Sequence, residues 1–338
     1  MSFFALFFAL LLDQFRPLQP HHRLYGMMRA GAHRLRQQLD ADTPAQAWLV
    51  WALVVAVPAV LVWLVYWLLD HFLGGFFAFL CTLLVLYTCL DFRAFGLHFT
   101  EVRNAVNTGD MEQAGEALGL WSDALERRQQ ESEPTPAQSG RELAVGTIKT
   151  SLEHMHRYVF GVFASFLLLA ALGFGPMGAV LFRSACYAYR FWAERGSDNL
   201  AWPDCPSPAL ADVARSGWQV VNWLPARISA VMFALVGRYD EAIGAWRAYS
   251  ASRPGDADAL VLASAVSSMG MPQSMVQQVV DWQPDSEPFE EPPLSEDEQR
   301  ELAEAAAGML HTLATMIWRV LVLWLFVCLL AGLIDAVI

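Results

Sequence analysis

Charge-free stretches alternate with arginine-bearing ones along most of this 338-residue chain. The longest clean run, Ala47–Leu69, holds 23 residues without a charge. At about 1.5 Å per residue it is long enough to cross a hydrocarbon core of roughly 30 Å as a helix. A second run, Phe72–Leu90, follows after only Asp70 and His71, so the pattern predicts a transmembrane hairpin with a two-residue turn. Tyr158–Phe182 is a third uncharged run, interrupted by Gly173-Phe174-Gly175-Pro176. Val220–Gly237 is apolar around the single charge of Arg227, and His311–Ile334 around that of Arg319. Only helices and closed barrels satisfy their backbone in lipid, and these runs are too long for barrel strands. The predicted class is therefore all-α: a polytopic helical membrane protein with cytoplasmic helical loops.

Arginine placement suggests sidedness. Residues 13–46 carry Arg16, Arg23, Arg29, Arg34 and Arg36, and residues 91–157 carry a second basic set that includes Lys149. Positive loops stay inside, so both are expected in the cytoplasm and the Asp70–His71 turn outside. Arg183, Arg190, Arg195 and Arg215 follow the Tyr158 run and ask for the cytoplasm again. A re-entrant hairpin turning at Gly173–Pro176 reconciles its two basic flanks. Asp335 is the only charge after the last run, whose end is expected outside. The apolar stretch Ser2–Leu12 is too short to span, and it lacks the basic start and small-residue cleavage site of a signal peptide. It reads as a buried or interfacial helix. The localisation expected is the bacterial inner membrane.

Five segments result: 1–90 with the basic loop and hairpin, 91–157 as cytoplasmic helices, 158–237 as interrupted membrane helices, 238–307 as a cytoplasmic hairpin and acidic linker, and 308–338 as the last span. Within them, Gly109-Asp110-Met111-Glu112 resembles a helix start, and Glu131–Ser139 a proline-containing linker. Arg238–Ala257 looks like half a tetratricopeptide unit, without a repeat to stack on. Pro284–Glu301 is strongly acidic and reads as a solvated linker.

Composition narrows the chemistry. Of the residues, 55% are hydrophobic and 17% charged, which fits several spans with sizeable polar loops. A net charge of −12 argues against a nucleic-acid partner, which needs a clustered basic surface. Cys81, Cys89, Cys186, Cys205 and Cys328 form no C-x-x-C pair and read as small buried apolar residues. No P-loop, G-x-G-x-x-G, G-x-S-x-G or H-E-x-x-H is present.

Three polar clusters remain. In Glu153-His154-Met155-His156-Arg157, Glu153 and His156 share a helix face, while His154 points about 100° away, so no metal site is expected there. An ion-pair ladder of Glu153 with Lys149 or Arg157 at the membrane boundary is the simpler reading. His21-His22-Arg23 suits lipid headgroups, or alternatively a phosphate-bearing substrate. Asn222-Trp223-Leu224-Pro225-Ala226-Arg227 sets a proline, read as early in a helix, beside an arginine in an apolar run. Such an arginine either pairs with Asp212, Asp240 or a headgroup, or binds an anionic ligand.

Taken in order, these blocks resemble the CobD/CbiB family of cobalamin-biosynthesis membrane proteins and its AmpE-like branch. Gly109–Ala114 is similar to the family's G-D-L-x-x-A, and Gly175–Ala179 with Leu181 and Arg183 to its G-x-P-G-A-x-x-Y-R. Asn222–Arg227 reproduces its N-W-x-P-A-R, and Val236-Gly237, Glu241-Ala242 and Ala245-Trp246 look like AmpE-like members. The resemblance implies the adenosylcobinamide-phosphate synthase step, an amide ligation joining an aminopropanol-type amine or its phosphate to a corrinoid carboxylate, with Mg²⁺ as cofactor. It also implies a corrinoid or other anionic small-molecule partner within the lipid bilayer. The family's E-S-L-x-E-N stretch is Thr150-Ser151-Leu152-Glu153-His154-Met155 here, and its H-P-S-P-N-x-G survives only as Ser252–Asp256. The scaffold motifs are kept while the polar ones are altered. An AmpE-like, non-catalytic membrane sensor with a membrane or cytoplasmic protein partner is the alternative. Candidate ligand-binding residues are Arg227, Asn222, Glu153, His154, His156 and Arg183.

Overall fold

A computed structural model describes residues 2–15, 31, 34–36, 39, 43–126, 140–194, 206–282 and 296–337. The His21–His22–Arg23 cluster, the linker Glu131–Ser139, Arg195, Cys205 and residues 284–295 of the acidic stretch lie outside them. The fold is all-α. Five stretches are long and apolar enough to cross a membrane: Pro44–Leu73, Gly75–Thr108, Gly140–Ala171, Pro208–Val236 and Glu301–Leu333. The protein is a polytopic helical membrane protein.

The chain divides into two compact units that interleave in sequence. The first comprises Met1–Asp91, Arg157–Pro225 and Leu325–Ile338. It begins with α1 (Ser2–Phe15), which packs on α3 (Gly75–Cys89). Helix α2 (Pro44–Leu73) starts with proline at its first turn, where a missing N–H costs nothing. It ends at Gly74, whose φ of +89° only glycine adopts without strain. The turn expected at Asp70–His71 therefore lies further on. Both residues complete the last turn of α2, with His71 stacked on Trp67 at 5.4 Å.

Helix α7 (Gly161–Ala171) turns through Leu172–Pro176 into α8 (Met177–Tyr189). Gly173 and Gly175 supply positive φ values of 86° and 56°, as the Gly-Phe-Gly-Pro break in the sequence requires. The turn is seated on α2: Trp63 and Phe174 approach at 6.0 Å, and a Cβ on Gly175 would meet the Tyr66 ring at 2.6 Å. Helix α8 packs against α2, α3 and α7.

The second unit comprises Phe92–His156 and Ala226–Trp324. Helix α4 (Phe92–Thr108) packs on α5 (Met111–Glu126), and Asp110 caps the latter by accepting from the Gln113 N–H at 2.9 Å. That is the helix start expected at Gly109–Glu112. Helix α6 (Gly140–Met155) is buried along almost its whole length, against α4, α5, α11 (Ala257–Ser268) and α12 (Gln273–Asp281). Helix α10 (Tyr239–Ser252) and α11 form a hairpin, of which Arg238–Ala257 holds α10 and the turn. Asp256 caps α11 by accepting from the Ala259 N–H at 2.9 Å.

Two helices begin before the apolar runs they carry. Helix α9 runs Pro208–Val236, beginning well before the apolar run at Val220. The Ser207 hydroxyl accepts from the Leu210 N–H at 3.1 Å and Pro208 follows it, a strong helix start. Pro225 is therefore in the helix interior, where it removes the bond to the Val221 carbonyl, instead of being early and cost-free. Helix α13 runs Glu296–Val337, so the apolar run from His311 continues a helix that starts in polar sequence.

Candidate functional site

The Glu153–Arg157 cluster sits where α6 passes into a π-helical segment, His156–Phe160. This segment continues directly into α7, so the expected cytoplasmic helix and the apolar run are one helix, Gly140–Ala171. The cluster does not lie on the surface, as its reading as a boundary ladder supposes. His154, His156 and Arg157 are only 1%, 2% and 6% exposed. Lys149 donates to the backbone carbonyls of Val280 (3.2 Å) and Trp282, tying α6 to the end of α12.

The two histidines diverge, as the helical geometry requires. His154 lies in an aromatic box with Phe95 and Trp121, at centroid distances of 5.9 and 6.0 Å. The Trp121 indole N–H donates to its Nδ1 at 3.4 Å, so the ring proton of a neutral His154 is on Nε2. His156 Nδ1 is hydrogen-bonded to Ser229 Oγ of α9 at 3.0 Å. Glu153 is half-buried and engaged within the fold.

On α9, Asn222 is fully buried and Arg227 half-buried. Five residues correspond to about 140° around a regular helix, so the two do not present one face to a ligand. Asp212, one of the partners considered for Arg227, pairs with Arg215 at 3.0 Å.

Arg183 belongs to a different constellation, within the first unit. Its guanidinium lies over the Tyr158 ring at 4.2 Å, and Arg190 lies 5.8 Å from the same ring while donating to its hydroxyl. Arg157 lies over Tyr189 at 5.7 Å, and Tyr189 stacks on Trp218 at 5.7 Å. The hairpin produces this arrangement: Tyr158 and Arg190 are nearly equidistant from the Leu172–Pro176 turn, as are Arg157 and Tyr189. Arg183 and Arg190, seven residues apart, recur on one helix face. Symmetric pairing about Gly173–Pro176 is the sequence signal that locates Tyr158, Tyr189 and Arg190. These residues carry no motif of their own.

One cation–π contact is worth about 0.5–2 kcal/mol, so each stack orients its guanidinium group as well as stabilising it.

The six sequence candidates are shared between the two units. Arg183 and Asn222 lie in the first unit, and Glu153, His154, His156 and Arg227 in the second. The stretch 150–155 also does not fit a Mg²⁺ site, which calls for several carboxylate and water oxygens in octahedral array. It offers one carboxylate, Glu153, beside a buried threonine, a histidine held by tryptophan and a buried methionine. Among the described residues, no three His, Cys, Asp or Glu side chains group together.

No protein-family model matches the chain, and no solved structure does. A stretch of 169 residues, 48% of the chain, is 27% identical to the cobalamin biosynthesis protein CobD of Chromobacterium violaceum. It covers 45% of that protein, so the match spans less than half of the relative's length.

Proposed function

We propose that this protein acts in the bacterial inner membrane in cobamide (vitamin B12) assembly, at or beside the adenosylcobinamide-phosphate synthase step. The supporting observation is the distant likeness to a CobD protein, together with the retained order of the Gly109, Gly175 and Asn222 motifs. In this reading the α7–α8 hairpin re-enters the bilayer, and the basic segments around it face the cytoplasm. Arg227 meets an anionic part of the substrate, and Glu153 is the carboxylate within the altered polar stretch. His154 and His156 position helices and do not touch the substrate. The test is growth of a cobamide-synthase deletion strain on B12-dependent medium. Rescue by the wild-type chain, lost in Arg227→Ala, is expected. Absence of rescue by a chain detected in the membrane overturns the assignment.

A second reading is favoured by one observation: the positions that replace the family's polar stretch, Thr150, His154 and Met155, are buried. On that reading the protein is an AmpE-like, non-catalytic membrane sensor linked to cell-wall recycling or β-lactamase regulation. It would signal through a membrane or cytoplasmic protein partner. Deleting its gene would then shift β-lactamase induction and leave B12-dependent growth intact.

A further inference from the structure

We infer that the α7–α8 hairpin reaches across the bilayer and lays its Leu172–Pro176 turn in the headgroup boundary of the far leaflet, at the same end as the apolar turn between α2 and α3. The inference rests on the membrane spans, and it needs neither the cobamide reading nor the sidedness proposed with it.

Helix α2 supplies the scale. Trp48 and Trp51 form an edge-to-face pair near its start, and Trp63, Tyr66 and Trp67 follow near its end. Tryptophan and tyrosine concentrate at the two membrane–water interfaces, so these rings mark the levels between which α2 crosses. At 1.5 Å per residue Trp48 and Trp67 stand about 28 Å apart along the helix, close to a hydrocarbon core of roughly 30 Å.

Helix α8 runs antiparallel to α2 between the same two levels, and both lie in the first unit. At one end a Cβ on Gly175 would meet the Tyr66 ring at 2.6 Å, and Phe174 approaches Trp63 at 6.0 Å. At the other, Tyr189 stacks on Trp218 of α9, whose neighbour Gly217 is so close to Trp51 that a Cβ there would collide with the ring. From Gly175 to Tyr189, and back from Tyr66 to Trp51, the two helices advance by nearly the same length, about 22 Å. The turn therefore stands at the far aromatic level and not at mid-membrane.

What covers this end follows from its chemistry. Leu172 and Phe72 are 69% and 71% exposed, and Leu73, Phe76, Phe77 and Phe174 are exposed with them. Neither Phe72–Phe77 nor Leu172–Pro176 holds a charge, and so large an apolar surface marks an interaction site and not a turn bathed in water. Asp70 and His71, just before Phe72, supply a polar margin. Aromatic rings at the end of an apolar span, edged by a few polar groups, fit the boundary between acyl chains and headgroups.

The full chain is reconstituted in phosphatidylcholine nanodiscs with a nitroxide carried on an encoded ketone amino acid, which leaves the cysteines untouched. Power saturation with oxygen and with a water-soluble nickel chelate then reads the depth of the label. Leu172 is compared with two exposed positions of α2, Val57 at mid-span and Leu68 at the aromatic level. The Leu172 label should read within about 5 Å of Leu68, one helical turn, and about 13 Å shallower than Val57. Should the Leu172 variant fail to fold, Ala171, exposed beside it, carries the label instead. A depth at Leu172 nearer to that of Val57 than to that of Leu68 overturns the inference, as does a Leu68 label that itself reads mid-membrane. Loss of collisions with both reagents at Leu172 would show a second copy of the chain covering the turn, and would overturn it as well.

Discussion

Gly178, in the first turn of α8, lies directly against the main-chain carbonyl of Ser165 in α7: a Cβ at this glycine would stand 2.0 Å from that oxygen. The two helices approach so closely only because this side chain is missing. Ser165 is a backbone obstacle and cannot rotate away. Gly178→Ala should force the hairpin apart and cost at least the roughly 1–3 kcal/mol typical of overpacking. Thermal unfolding in detergent would show it. Gly244, in α10 with nothing within 4 Å of its Cβ position, is the control. Gly244→Ala should be neutral or stabilising by up to about 1 kcal/mol through helix propensity.

Lys149 is the sole lysine of the chain and ties α6 to the carbonyls that end α12. The same junction seats the Trp282 indole on Gly146, where a Cβ would meet the ring at 2.6 Å. Lys149→Met keeps the bulk but leaves carbonyls without their donor, a loss of about 1–3 kcal/mol. Limited proteolysis should then cut faster just after Trp282, and unchanged cutting would show that the tie contributes nothing.

Restoring the acidic residue of the resembled motif should damage the fold. His154→Glu places a carboxylate in the Phe95–Trp121 box at a position 1% exposed. Burying an unpaired charge costs several kcal/mol. The variant should therefore lose yield in the membrane and a large part of its thermal stability. A well-folded His154→Glu that gains B12-dependent rescue would reverse this view of the site.

Alkaline stability should depend on Tyr249. Burial, then the Asp281 carboxylate, push its phenol above the ordinary value, against the opposing pull of Arg253. The folded state then holds the proton more tightly than the unfolded one. The contribution is complete below about pH 10 and declines as pH rises through the folded value. Tyr249→Phe should flatten that decline in urea titrations. Asp281→Asn should reduce it, with little loss at neutral pH: the Arg253–Asp281 pair at 2.7 Å has side chains 42% and 55% exposed and is worth less than about 1 kcal/mol.

Sidedness can be checked at Gly196. The arginines flanking the α7–α8 hairpin predict that a reporter fused there is cytoplasmic. A periplasmic signal would turn the hairpin into a full crossing.

Local rules read several elements of this fold directly. Gly109 and Asp110 marked the start of α5 through the side-chain cap on Gln113, and Gly173–Pro176 marked the hairpin turn because positive φ falls to glycine. The start of α9 is equally legible in Ser207-Pro208, but the apolar run begins only at Val220, which makes the interior Pro225 look early. Among the site candidates, the divergence of His154 and His156 followed from helical angles. Their burial did not, because it depends on Trp121 and Ser229, 33 and 73 residues distant in sequence.

The sequence by itself determined that this is an all-α membrane protein, where its uncharged helices run and where glycine permits them to turn. These are properties of consecutive residues, set by charge, length and backbone freedom. Tertiary structure alone decided that His154, His156 and Arg157 are buried, and that Arg183 shares Tyr158 with Arg190. It also decided that chain segments far apart in sequence alternate between two compact units. Such relations arise from packing between segments, where the burial of each side chain is settled by its neighbour across the interface and not by its own surroundings in the chain.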